Sequence, residues 1–152
     1  MITYKTLIFE GLGTFVLVYN GMMTVESDRF GNIRDNHRAA IARGLTLAVF
    51  IYLGSKLGLR GFFNPTVAFC MMIIGRMSGK NFLFHVLIQF TGATLAACVC
   101  FILRPPPFDE YKVGGYSRLN FRVGILSGLV IEIVSSFIFV MTIFVSRVTR
   151  RS

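Results

Sequence analysis

Residues 61–69 read Gly-Phe-Phe-Asn-Pro-Thr-Val-Ala-Phe, and this stretch decides the fold because it begins a helix too short to cross a bilayer. Asn64 is a favoured N-cap residue, Pro65 suits the first helical position, and the apolar run that follows ends at Gly75. The predicted helix, at about residues 65–75, is roughly 15 Å long, which is half the thickness of the hydrocarbon core. Its first residues are therefore expected near the middle of the membrane.

The start of such a half-helix is polar, since its first N–H groups have no partner within the helix and carry a partial positive charge. Lipid cannot solvate these groups, so they must face protein or a water-filled cavity. In membrane proteins, a helix end at this depth commonly marks a transport path. The stretch therefore predicts a place for polar solutes rather than for cations.

The composition places this half-helix in an integral membrane protein. The 152 residues are 54% hydrophobic, with a mean hydropathy of +0.66, which is too apolar for an ordinary soluble domain of this size. Four further apolar runs are long enough to span, at about residues 7–25, 39–59, 82–103 and 123–145. We predict an all-α membrane fold with four transmembrane helices and one re-entrant half-helix, in a single domain of residues 1–152. The first run lacks a cleavage site and is expected to stay in the mature protein.

The charges of this chain point to lipid rather than to nucleic acid. Sixteen Lys and Arg residues against seven Asp and Glu residues give a formal net charge of +9. They lie mainly in the segments that flank the apolar runs, so we expect anionic lipid headgroups as partners and no nucleic acid. The two membrane sides carry nearly equal numbers of basic residues, which leaves the orientation open. The sequence does not fix the compartment, and we favour an organelle inner membrane, such as the mitochondrial one, because its large complexes carry small spans of this kind.

The sequence offers no chemistry of a catalytic or metal site. Cys70, Cys98 and Cys100 lie in apolar segments without ligand spacing, and we expect them to be buried structural thiols. His37 and His85 also lack ligand-spaced companions, so both are expected to be ordinary polar positions. Because no nucleophile with a base, ligand cluster or phosphate-binding loop is found, we predict no enzyme activity, no metal and no cofactor.

The first and fourth spans share one spacing of side chains. Residues 10–18 read Glu-Gly-Leu-Gly-Thr-Phe-Val-Leu-Val and residues 132–140 read Glu-Ile-Val-Ser-Ser-Phe-Ile-Phe-Val. Each has a carboxylate, a hydroxyl four residues later and then an aromatic ring. Because the second copy begins three spans after the first, the two copies enter the membrane from opposite sides, as in an inverted repeat. The sequence holds one unit of span, span, half-helix and span, followed by the first helix of another.

These residues resemble the aquaporin and glycerol facilitator family, the major intrinsic proteins, over most of the chain. Five features fall in family order: Glu10-x-x-Gly13-Thr14-Phe15, Gly44-Leu45-Thr46-Leu47-Ala48, Asn64-Pro65-Thr66-Val67, Gln89-x-x-Gly92-Ala93 and Glu132. The family box reads Asn-Pro-Ala, so Thr66 is a departure that leaves the cap and the proline intact. The resemblance implies an aquaporin-like partial fold made of the first half and the fourth span.

The resemblance also implies roles for single residues. Asn64 would offer its amide to a pore; the other interpretation is a cap whose donors are satisfied locally, and the sequence leaves both open. Glu10, with Gln89, would support the half-helix through backbone amides of its loop. Glu132 would support a second half-helix, which this sequence does not contain. Arg43 stands where the family has an aromatic or histidine at the constriction, so it would either block a narrow pore or extend to the headgroups.

Two functions remain open at this point. The first is a degenerate, non-conducting aquaporin-like protein that acts as a structural subunit of a larger membrane complex, because half of the pore is absent from the sequence. The alternative is a half-channel that assembles with a second chain into a pore for water or small neutral solutes. Both imply partners, either other membrane-protein subunits or further copies of this chain.

Overall fold

The computed structural model describes residues 3–26, 36–103, 119 and 123–148, and within these residues all regular secondary structure is helical. Five helices follow one another: α1 (Tyr4–Glu26), α2 (Asn36–Leu57), α3 (Pro65–Ile73), α4 (Gly79–Leu103) and α5 (Ile125–Val148). All except α3 are long and apolar enough to cross a membrane. The predicted all-α membrane fold, with four spans and one short helix, is confirmed.

The chain divides into two compact units. Met1–Gly115 contains α1 to α4, and Tyr116–Ser152 contains α5. The prediction of one membrane domain over residues 1–152 stays a prediction. The helix ends lie within about three residues of the apolar runs in the sequence, which is the scatter expected where helix ends fray.

Helices α1 and α4 pack with their backbones close together in the first unit. A Cβ added to Gly92 would lie 2.4 Å from the carbonyl oxygen of Gly11, so only glycine permits this approach. The buried face of α4 repeats every three or four residues and consists of His85, Gln89, Gly92, Ala96 and Cys100. Two polar side chains therefore lie on the inner face of a spanning helix.

The half-helix α3 is limited to nine residues, about 14 Å, by signals at both of its ends. Asn64 caps its start, and Gly75 ends it with a φ of 72°. The N–H of Arg76 donates to the carbonyl of Met71 at 2.9 Å, and that of Gly75 donates to Met72 at 3.0 Å. This pair of bonds is the Schellman motif, which explains why the helix stops before it can complete a span. α3 packs against α4.

Candidate functional site

The carboxylate of Glu10 is the centre of the candidate site. It lies in α1, is fully buried, and accepts hydrogen bonds from two successive backbone N–H groups in the loop ahead of α3. The N–H of Phe62 lies 2.8 Å from Oε2, and that of Phe63 lies 2.5 Å from Oε1. A buried charge in a spanning helix is tolerated only with such donors. Glu10 therefore fixes the loop that delivers the chain to the start of α3.

Two side chains of α4 complete the surroundings of this carboxylate. Nε2 of Gln89 donates to Oε1 of Glu10 at 2.5 Å. Nδ1 of His85, one turn earlier, lies 3.1 Å from Oε2 of Glu10, within ion-pair distance but outside hydrogen-bond direction. His85 is 3% exposed, and its ring meets the ring of Phe62 edge-on at 5.0 Å. We use the term Glu10 cluster for Glu10, His85, Gln89 and the N–H groups of Phe62 and Phe63.

His85 was expected to be an ordinary polar position, and that expectation is wrong. It belongs to the Glu10 cluster because α4 turns it to the same face as Gln89. The available signal was the spacing of four residues between two polar side chains inside an apolar span. Metal-ligand spacing does not reveal the role of His85, since its partner is a carboxylate on another helix.

Phe63 holds the loop in a conformation that few residues adopt. Its φ is 55°, in the left-handed region, which is costly for a non-glycine residue. Its ring lies 5.4 Å from that of Phe9 and 5.5 Å from that of Phe50, and it fills space that a Cβ on Gly13 or Gly61 would occupy. Ring packing and the hydrogen bond to Glu10 offset the backbone strain. The two glycines are therefore part of the site, because they make room for the ring.

Asn64 caps α3 and keeps its amide nitrogen available. Its backbone is extended, with φ −155° and ψ 127°, and Oδ1 accepts the N–H of Thr66 at 2.8 Å. Among the described residues, Nδ2 of Asn64 makes no hydrogen bond. Asn64 is half-buried, whereas Pro65 and Thr66 are exposed. The cap uses only the backbone of Thr66, so a threonine in place of the family alanine leaves the cap geometry unchanged.

Arg43 lies away from the Glu10 cluster along α1, and Glu132, in the second unit, has surroundings of its own. The guanidinium of Arg43, on α2, lies over Gly21 in α1, so close that a Cβ on Gly21 would be 2.3 Å from Nε. Gly21 is eleven residues beyond Glu10, or roughly 16 Å along the helix. Glu132, on α5, is exposed and makes no hydrogen bond or ion pair within the described part of the chain.

The cysteines differ from one another in burial. Cys100 is buried and Cys70 is half-buried, but Cys98 is exposed, so the expectation of three buried thiols is wrong for Cys98. Two residues that are two positions apart on an α-helix are separated by about 200° around its axis, which turns Cys98 and Cys100 to different faces. Within the described residues, no group of three His, Cys, Asp or Glu side chains could hold a metal ion.

The fold and site together define a class of membrane protein: spanning helices with a capped half-helix whose loop is hydrogen-bonded to an intramembrane glutamate. The family model described as "Major intrinsic protein" matches residues 1–152. The chain belongs to the major intrinsic protein family. The relatives that it matches carry the names aquaporin and glycerol uptake facilitator protein.

Three similar proteins illustrate the relationship. A glycerol uptake facilitator protein of Streptococcus pneumoniae is 26% identical over 89% of this chain and 61% of its own length. Aquaporin Z of Brucella melitensis is 28% identical over 88% of this chain and 61% of its own length. Aquaporin-9 of Rattus norvegicus is 34% identical over 64% of this chain and 33% of its own length. This chain thus spans less than two thirds of the relatives it matches. No solved structure gives a significant match.

Proposed function

We propose that this chain forms one wall of an aquaporin-like path for water or small neutral solutes, and that further helices complete the path. The observation that carries the proposal is Asn64, whose Oδ1 caps α3 while its Nδ2 has no partner among the described residues. The sequence left open whether Asn64 is a local cap or a donor to a pore, and this geometry is compatible with both roles at once. It caps α3 with its oxygen and leaves its nitrogen available as a donor to a solute.

The charge at this position suits a neutral solute that can accept a hydrogen bond. The start of α3 carries the positive end of the helix dipole, and the amide of Asn64 adds a second donor at the same place. A cation is repelled by both, whereas the oxygen of water or of an alcohol is attracted. The Glu10 cluster holds the loop, so the donors are fixed before a solute arrives.

A second wall is needed because the start of α3 is not enclosed. Pro65 and Thr66 are exposed, and the orphan N–H groups of a helix start cost several kcal/mol each when lipid covers them. In the proposed assembly the cover is protein, either other membrane-protein subunits or additional copies of this chain. Nearly balanced basic residues on the two sides would permit copies of opposite orientation.

Stopped-flow swelling tests this function. The protein, purified in mild detergent with any subunits that accompany it, is reconstituted into vesicles, and its osmotic rate is compared with that of empty vesicles. Wild-type vesicles are expected to swell faster, and Asn64→Asp, which keeps the cap oxygen but replaces the donor with a charge, is expected to remove the difference. Ser78→Asp adds the same charge just ahead of α4 and keeps an oxygen that can accept the N–H of Asn81, so it is the matched control and should keep the difference.

A non-conducting structural subunit is the second candidate, and Arg43 is the observation that favours it. Arg43 is an exposed residue of a spanning helix, its guanidinium packs over α1 at Gly21, and it stands at the sequence position that the family uses for its constriction. If wild-type vesicles swell no faster than empty ones but Arg43→Ala vesicles do, Arg43 blocks the path and the structural role holds. Mass spectrometry of the co-purified proteins then identifies the complex.

A further inference from the structure

A cavity of about 440 Å³ opens next to the Glu10 cluster. Its walls come from the start of α1, the loop ahead of α3, the turn after α3 and the first turns of α4, all within the first unit. The volume is within the range of small-molecule sites, roughly 300–1,000 Å³. Asn64, Pro65 and Thr66, the residues of the half-helix cap, do not line this cavity.

The cavity is strongly basic. Arg60 and Arg76 line it, and neither guanidinium has an ion-pair partner in the described part of the chain. None of the described residues that line it is acidic. Residues 1–25 and 36–103, which supply all of the described lining, contain one acidic residue, Glu10. Its carboxylate is fully buried and accepts hydrogen bonds from Phe62, Phe63 and Gln89. The two positive charges are therefore left to attract an anion.

The remaining polar groups of the cavity are mostly hydrogen-bond donors suited to anionic oxygens. The hydroxyls of Thr3 and Thr6 lie 2.9 Å apart, and the side-chain amide of Asn81 makes no hydrogen bond among the described residues. His85, 3% exposed, lines the same cavity. Arginine forks match the oxygen geometry of phosphate, and hydroxyl and amide donors add to the contact.

The cavity also has an apolar side, which narrows the class of ligand. Leu59, Phe62 and Met77 line it together with the polar groups. A ligand that fits must join a phosphate to an apolar body. We propose that this cavity binds a phosphate-bearing anion through Arg60 and Arg76, and that its source is the headgroup of an anionic phospholipid. The inference does not depend on whether the chain conducts, so the two proposals fail separately.

Native mass spectrometry of the full chain tests the site. The protein is titrated in detergent with phosphatidylglycerol and, separately, with zwitterionic phosphatidylcholine. Wild type is expected to retain one phosphatidylglycerol preferentially, and Arg60→Gln with Arg76→Gln is expected to weaken this binding roughly tenfold or more. Lys56→Gln with Lys80→Gln removes the same charge from residues that do not line the cavity, and it should weaken binding less than about threefold, as screened distant charges do.

Thermal unfolding of the same proteins distinguishes the sources of phosphate. Arginine-dependent stabilisation by phosphatidylglycerol, absent with millimolar inorganic phosphate, supports the headgroup. Arginine-dependent stabilisation by inorganic phosphate without lipid retention supports the phosphate site and overturns its assignment to lipid. Equal losses in the Arg and Lys double variants, or no loss in either, overturn the site. Arg60→Lys with Arg76→Lys keeps both positive charges and should lose part of the affinity for phosphatidylglycerol. This variant keeps the test informative if the double glutamine variant does not fold.

Discussion

Glu10 and Glu132 occupy matching positions in α1 and α5, yet their surroundings differ completely. Each lies about two turns from the start of its helix and is followed by a hydroxyl and an aromatic ring at the same spacing. Glu10 is fully buried and accepts three N–H donors from Phe62, Phe63 and Gln89. Glu132 is exposed, without a hydrogen bond in the residues that the structure describes.

The difference shows that a spanning glutamate acquires its role from its donors and not from its own helix. The donors of Glu10 come from residues 52, 53 and 79 positions away in the sequence. An intramembrane carboxylate without donors is costly. In the proposed assembly, Glu132 receives its donors from the second wall, as Glu10 receives them from the loop ahead of α3.

The largest expected difference in stability is between a variant that lacks the carboxylate of Glu10 and one that lacks the carboxylate of Glu132. Glu10→Ala leaves three buried donors without an acceptor and should lower the free energy of unfolding by about 3–5 kcal/mol. Glu132→Ala on the chain purified alone should change it by less than about 0.5 kcal/mol. Titration with SDS in mixed micelles, followed by circular dichroism at the helix band, measures both. If both variants lost the same free energy of unfolding, the proposed difference between a satisfied Glu10 and an unsatisfied Glu132 would be wrong.

A second test compares two glycines that a methyl group would crowd equally. A Cβ at Gly92 would meet the backbone oxygen of Gly11 at 2.4 Å, whereas a Cβ at Gly128 in α5 would meet the end of the Leu119 side chain at 2.4 Å. Backbone cannot move without separating α1 from α4, but a leucine can rotate. We expect Gly92→Ala to cost about 1–3 kcal/mol and Gly128→Ala to be neutral or slightly stabilising. The same SDS titration reports the result, and a neutral Gly92→Ala would contradict the close α1–α4 contact.

A third test removes one partner of the buried carboxylate and keeps the rest. His85→Leu should lower the free energy of unfolding by about 1–2 kcal/mol, less than Glu10→Ala, because the three donors remain. His37→Leu, at an exposed position near the start of α2, is the control and should stay within about 0.5 kcal/mol. A His85 variant as stable as wild type would exclude His85 from the Glu10 cluster.

The smallest effect is expected at the hydroxyls that make the two spans look alike. Oγ1 of Thr14 donates to the carbonyl of Glu10 at 2.8 Å, within its own helix, and does not reach the carboxylate. Thr14→Val and Ser136→Ala should each change the free energy of unfolding by less than about 0.5–1 kcal/mol, since the carbonyl keeps its helical N–H partner. Melting temperatures of the two variants check this. A large loss in Thr14→Val alone would mean that the hydroxyl also holds α4.

Much of the candidate site could be predicted from residues that act locally. The cap at Asn64 and the proline after it depend only on their neighbours, and the glycine that ends α3 needs only its own backbone. Residues that act across helices were predicted less well. His85 was missed, and the left-handed Phe63 carries no warning in its sequence, because the ring packing that stabilises it comes from Phe9 and Phe50 on other helices.

By itself the sequence determined the membrane class, the four spans, the half-helix and its cap, because apolar run length and capping chemistry are properties of short segments. The tertiary structure alone decided that Glu10 receives its donors from within the first unit, whereas Glu132 has none among the described residues. It also decided that Arg43 lies over Gly21 and that two arginines share a cavity. These contacts join residues far apart in the sequence, and only the packing of α1, α2 and α4 with the loop ahead of α3 brings them together.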